Sequence, residues 1–126
     1  MNGYLIDSDI LIDYLRGQER ARVFLLEASR ETVLWISIIS VVEIYSGKEM
    51  ENLIKANRVD EFLSNFEIVW LSPSVARRAG ELRRNYQGPF ADMIIAASAL
   101  EYNLGLATRN IKHFNTIKNI KLIDSY

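Results

Sequence analysis

Three features of the 126-residue sequence predict an α/β fold on a parallel sheet. Short β-rich runs alternate with longer helical ones from one end to the other. The run VLWIS, Val33 to Ser37, is continuously β-branched and aromatic, the form of a strand covered on both faces. The stretch GPFADMIIAASALEYNLG is apolar or small on nearly every side, which makes it a central buried helix. Alternating β and α elements imply parallel strands joined by crossover helices on both faces of the sheet.

In chain order, Tyr4 to Ile6 is the first strand, Asp9 to Leu15 a helix stopped by Gly17, and Arg20 to Ser29 a second helix. After the VLWIS strand, Ser40 and Glu43 stand at capping-box spacing and predict a helix start. Glu49 to Phe66 carries apolar residues at helical spacing and predicts one long helix, and EIVWL a third strand ending at Leu71. Ser72 as cap with Pro73 at the first helical position opens the next helix. Its apolar stripe is Val75, Ala79, Leu82 and Tyr86, which leaves Arg77, Arg78, Arg83 and Arg84 off the stripe. The buried helix follows a Gly-Pro turn and ends at Gly105, and LAT and IKLID supply the last short strands.

The chain has the length of one ordinary domain, so residues 1–126 are expected to share one core. With 49% hydrophobic and 25% charged residues the composition is that of a compact protein, not a disordered one. A formal charge of −1 attracts no polyanion, so nucleic-acid binding needs a local basic patch. The absence of cysteine excludes disulfides, zinc-thiolate sites and thiol nucleophiles. No segment reaches the roughly 20 apolar residues of a membrane span, and the start MNGYLIDSD is unlike a secretory leader. A cytoplasmic protein without a membrane partner is expected.

The functional question is posed by YLIDSDILIDYLRG, where a core strand runs straight into Asp7, Ser8 and Asp9. In open parallel sheets the functional crevice lies beyond the carboxyl ends of the strands. Asp7 follows the first strand, Glu43 is placed in the first turn after the second, Asp92 starts the buried helix, and Asn110 follows LAT. Carboxylates gathered there repel: two unit charges about 4 Å apart cost roughly 4 kcal/mol at an effective dielectric near 20. No basic residue lies within two positions of Asp7, Glu43 or Asp92, so a hard divalent cation is the simpler counter-charge. All-oxygen ligands select magnesium or manganese over zinc, and His113, the single histidine, builds no imidazole site alone.

Plainer roles compete residue by residue. Glu43 is equally the return half of a capping box with Ser40, and Asp92 a dipole-stabilising acid. Asp13 and Arg16 fit a solvated face of the first helix. The arginine pairs fit an exposed helix face with Glu81 partnering Arg84, and Trp35 and Trp70 sit in strand patterns suited to core packing. Asp7 resists such an account, because a carboxylate closing an apolar strand is costly unless coordinated or hydrogen-bonded.

The segments YLIDSDILIDYLRG, ISIISVVEIYSG, FADMIIAASALEYNLGLATRNIKHF and KLID together resemble, in order and spacing, the PIN-domain ribonucleases, especially the small VapC-type toxins of toxin-antitoxin pairs. The resemblance covers essentially the full chain. It implies a three-layer α/β/α fold with four to five parallel strands and Mg2+- or Mn2+-dependent endoribonuclease activity giving 5′-phosphate and 3′-hydroxyl ends. By motif position it implies Asp7, Glu43 and Asp92 as catalytic, metal-binding acids and Asn110 as a neutral fourth ligand. Ser8, Ser37 and Thr108 would support the site. Read from the residues and not from the resemblance, Arg77, Arg78, Arg83 and Arg84, with Lys48 or Arg109, are the candidates to hold RNA phosphates on either side of the acidic rim. The resemblance also implies a homodimer and a cognate antitoxin lying in an apolar groove, with Leu11, Leu15, Leu53 and Ile54 as candidate lining. His113 stands where some relatives carry an acid; its plainer role is structural, beside Phe114.

Two rivals come from other classes. The pair Asp7 and Asp9 superficially matches the Asp-x-Asp of aspartyl-phosphate phosphatases, with Ser37 at the second strand end but no convincing lysine. A catalytically silent binding module would keep the acids as a cation-stabilised scaffold.

Overall fold

The computed structural model describes residues 1–126 and contains a five-stranded, wholly parallel sheet with helices on both faces, as the sequence predicts. The strands are β1 (Tyr4–Ile6), β2 (Leu34–Ser37), β3 (Glu67–Val69), β4 (Gly105–Ala107) and β5 (Leu122–Ile123), in the spatial order β3-β2-β1-β4-β5. The helices are α1 (Ser8–Leu15), α2 (Glu19–Glu31), α3 (Ile38–Tyr45), α4 (Leu53–Leu63), α5 (Pro73–Tyr86), α6 (Phe90–Tyr102) and α7 (Ile111–Phe114). None is long and apolar enough to cross a membrane.

Alternation along the strands divides the core into two layers. Leu5 and Leu106 point to one face, where Val75, Ala79 and Leu82 of α5 and the buried run Met93 to Ala97 of α6 pack with Phe114. Ile6, Leu34, Ile36 and Ala107 point to the other, against Ile10 and Leu11 of α1, Leu25 and Ala28 of α2, Ile44 of α3 and Val59 and Leu63 of α4. The central position of α6 follows from its composition: seven consecutive residues, Met93 to Ala99, are buried, so no side of that stretch faces solvent.

Strand order reverses between β1 and β4. From β1 the chain winds outwards through β2 to β3, then returns to β4 on the other flank. In such sheets the two loops leaving the reversal point diverge and open a crevice at the carboxyl edge. The residues that leave β1 and β4 there are Asp7 and Thr108.

Several local expectations are corrected. The helix after β2 is capped by Ser37, whose Oγ accepts the Ile39 amide at 3.1 Å, so strand and helix abut without a loop. The Ser40 and Glu43 spacing is therefore not a capping box: Ser40 is buried within α3, and Glu43 lies in its second turn. The stretch from Glu49 to Phe66 is not one helix. A 3₁₀ turn (Lys48–Glu51) precedes Asn52, whose side chain caps α4 by accepting the amides of Ile54 and Lys55. On the sheet edge β3 stops at Val69, which leaves Trp70 61% exposed rather than in the core.

Candidate functional site

Asp7 ends β1 and begins α1. Its main-chain N–H donates to Ala107 O of β4 at 2.9 Å, and its Oδ1 accepts the Ser8 amide at 2.8 Å. Across the strand reversal, the Thr108 hydroxyl donates to Asp7 Oδ2 at 2.7 Å. Thr108 Oγ1 in turn accepts the Asn110 amide at 3.0 Å, which fixes its orientation. Asp7 is only 5% exposed and Thr108 1%.

Burial comes first, and then the charge of Asp9, in pushing the Asp7 carboxyl up to about 7; the Thr108 and Ser8 hydrogen bonds pull it down, and Asp92 adds a smaller upward push. No cationic side chain pairs with Asp7: Arg22 pairs with Glu19, and His113 is hydrogen-bonded to Asp92.

Glu43 reaches the site through the residue after Asp7. Ser8 Oγ donates to Glu43 Oε1 at 2.7 Å and shares a 2.9 Å hydrogen bond with the buried Ser40 hydroxyl. Asp92, in the first turn of α6, turns its Oδ2 to His113, whose Nδ1 lies 2.5 Å away. A carboxylate accepts only, so the Nδ1–H tautomer donates. His113 is thus hydrogen-bonded as well as beside Phe114, and the bond it makes is to one of the site's acids.

The fold therefore brings Asp7, Glu43 and Asp92 to the carboxyl edge of one sheet, with Ser8 and Thr108 as connecting hydroxyls. Each acid is bonded to a different neighbour, and no group of three acidic or histidine side chains stands closed around a single point. Asn110 caps α7 without a side-chain cap bond, and Ser37 is occupied as the cap of α3.

Asp9 is the residue whose place in the site the sequence hides. Its Oδ2 accepts the Arg109 amide at 2.8 Å and lies 3.4 Å from Thr108 Oγ1. Burial, the first cause, raises its carboxyl above the ordinary value, with Asp13 contributing and those hydrogen bonds opposing. The partner loop lies about a hundred residues away, and no local spacing announces it. Asp13 is not a bare solvated residue either: it accepts the Tyr126 hydroxyl at 2.6 Å.

The arginines divide. Arg109 follows Thr108 after β4 and lies at the acidic rim. Arg83 stacks over Phe90, at the start of α6, with its guanidinium 5.3 Å from the ring centre. Arg77 and Arg84 are exposed. Arg78 is drawn to the opposite end of the sheet, lining a cavity of about 470 Å³ with Asn103, Leu104 and Lys121.

A groove of about 900 Å³ runs between α1, α3 and α4, floored by Ile12, Leu15, Val59 and Phe62 and reaching Glu43 at one end. Of the residues expected to line such a groove, Leu15 does. Leu11 is wholly buried in the core, and Leu53 and Ile54 are exposed on α4 outside it. The phosphatase rival lacks its lysine, because no lysine is bonded to any of the four acids at the rim.

The PIN-domain family pattern matches residues 4–119. The chain is 34% identical to "Ribonuclease VapC10" of Mycobacterium tuberculosis over 122 residues, 93% of this chain and 90% of that protein. It is 28% identical to "Ribonuclease VapC2" of Rickettsia felis, over 94% of this chain and 95% of that one. Among solved structures, a toxin-antitoxin complex from Klebsiella pneumoniae superimposes with a TM-score of 0.82 at 31% identity, covering 98% of both chains. The VapBC2 complex of Rickettsia felis, bound to a DNA fragment from its promoter, gives 0.80 at 27% identity over 95% of this chain and 96% of that one.

Proposed function

This chain belongs to the PIN-domain family, and on that footing we propose that it is an endoribonuclease toxin of a toxin-antitoxin pair, hydrolysing RNA phosphodiester bonds at the rim of Asp7, Glu43 and Asp92. The observation that carries the reading is the buried, unpaired Asp7 carboxyl at the strand reversal, with Asp9 and Asp92 beside it.

That chemistry fits a hard divalent ion. The donors are oxygens, and the Asp7 carboxyl, pushed to about 7, gains most from a neighbouring positive charge. Asp7 and Asp92 would hold Mg2+ or Mn2+, with Glu43 and the neutral Asn110 as further ligands. Bound there, the ion supplies charge that attracts the phosphodiester, acidifies an attacking water and offsets the charge developing at phosphorus.

The chain's own groups do the rest. Glu43 Oε2, the oxygen not engaged by Ser8, accepts the proton of the attacking water. Water oxygen bonds to phosphorus, the bond to the 3′ oxygen breaks, and that oxygen takes a proton from solvent, leaving a 5′-phosphate and a 3′-hydroxyl. Thr108 keeps Asp7 in place throughout. Arg83, Arg84 and Arg77 are candidates for more distant phosphates.

The antitoxin is assigned to the groove between α1, α3 and α4, whose apolar floor is bordered by Arg16, Lys55 and Arg58 and which ends at Glu43. The exposed Val42, Trp70 and Leu71 supply apolar surface for a homodimer. The reading puts the protein in the cytoplasm, where its RNA substrate is made.

The test is incubation of the purified chain with RNA, with Mg2+ or Mn2+ and with EDTA, followed by mapping of the new ends. Cleavage that needs the ion, leaves 5′-phosphates and is lost in Asp7→Asn is expected. Intact RNA together with phosphate release from small phosphoesters would overturn it, as would cutting that survives both EDTA and Asp7→Asn.

A further inference from the structure

Arg109 is fixed by two independent contacts, and its guanidinium donors are left unused. Its main-chain N–H donates to Asp9 Oδ2 at 2.8 Å, which pins the residue to the rim. Its guanidinium carbon lies 4.3 Å from the centre of the Tyr126 ring. The ring is itself held: the Tyr126 hydroxyl donates to Asp13 Oδ2 at 2.6 Å, and Phe24 packs against it at 6.3 Å between centroids. Arg20, from the first turn of α2, comes within 5.9 Å of the same ring. Although Asp9, Asp13 and Asp124 are near in space or sequence, neither arginine forms an ion pair, and no protein acceptor bonds either guanidinium.

Stacking occupies the face of a guanidinium and leaves its in-plane N–H donors directed outwards, where they match the paired oxygens of a phosphate. The ordering entropy of a long side chain is already spent before a ligand arrives. Among the cationic side chains near the acids, Arg109 is distinguished by being both anchored and unpaired, and only Asn110 stands between it and α7.

We propose that Arg109, seated on Tyr126 and assisted by Arg20, binds a backbone phosphate of single-stranded RNA next to the one that is cut. Tyr126 is a positioning residue whose ring sets the guanidinium. The proposal rests on the ribonuclease reading and adds to it the direction in which the strand leaves the acids, along α1 and α2 past Tyr126.

The experiment measures binding of a fluorescent oligoribonucleotide to the Asp7→Asn chain in Mg2+ over a range of salt concentrations. Arg109→Gln is expected to weaken binding about five- to tenfold and to lower the slope of log affinity against log salt by about 0.7, the value for one phosphate contact on a single strand. Arg109→Lys keeps the slope but not the full affinity. Tyr126→Leu weakens binding severalfold, and Tyr126→Phe, which keeps the ring, restores it; loss of the Asp13 bond alone would affect both equally. Affinity and slope unchanged in Arg109→Gln, while the otherwise wild-type chain still cuts RNA, overturn the phosphate contact alone. A chain that neither binds nor cuts RNA overturns the ribonuclease reading, and this proposal with it.

Discussion

Thr108 Oγ1 lies 2.7 Å from Asp7 Oδ2, a hydrogen bond between residues 101 positions apart and across the point where the strand order reverses. It is the shortest route by which the end of β4 acts on the acid at the end of β1. Removing it in Thr108→Val leaves a buried carboxyl with one partner fewer, at a cost of about 1–3 kcal/mol. Thermal melting of Thr108→Val should fall accordingly, and Thr108→Ser should recover most of the loss.

The raised Asp7 carboxyl makes stability depend on pH. The folded chain keeps this proton to about pH 7, whereas an ordinary carboxyl releases it near 3.8, so folding takes up a proton between those values. The contribution of Asp7 to stability is therefore greatest at the acid side and declines as the pH rises through the window, with ~4 kcal/mol as the ceiling. Denaturant melts in EDTA from pH 4.5 to 8 should show this decline, flattened in Asp7→Asn. At pH 8, Asp7→Asn should be the more stable protein although it has lost at least a hundredfold in cleavage rate.

Ser8 is expected to act through Glu43. Ser8→Ala removes the 2.7 Å bond to Glu43 Oε1 and the link to Ser40, so the glutamate loses its fixed orientation. A drop of about tenfold in kcat with little change in KM is expected. Glu43→Gln should lose more, because the proposed proton acceptor itself is gone, yet melt within about 1 kcal/mol of the parent since Glu43 is exposed.

His113 is expected to matter for rate and not for folding. Its side chain is 46% exposed, and its one polar partner is Asp92. His113→Ala should leave the melting temperature nearly unchanged and lower the cleavage rate severalfold, and His113→Asn, which also offers an N–H, should recover part of it. Equal rates in all three proteins would remove His113 from the site.

The architecture was legible where periodicity is set by burial on both faces of an element, as in VLWIS and in the buried run of α6. Asp7 was legible because a charge at the end of a core strand loses its hydration and must find a partner there. Local spacing misled where a contact is made in three dimensions. Ser40 and Glu43 have the separation of a capping box, yet both serve Ser8, and Ser37 one turn earlier is the cap. Trp70 follows a strand pattern, but β3 lies at the sheet edge, where one flank has no neighbour to cover it. Asp9 and Tyr126 were invisible for the same reason: Arg109 and Asp13, which engage them, lie about a hundred residues away in the chain.

The place of β1 between β2 and β4 has a consequence for a protein emerging from the ribosome. Asp7 is made before its partners: its amide waits for Ala107 and its carboxyl for Thr108, about a hundred positions later in the chain. Pairings of such long sequence separation form late and slowly. A nascent polypeptide halted before β4 already contains Asp7, Glu43 and Asp92 yet lacks the Ala107 and Thr108 partners that assemble the rim.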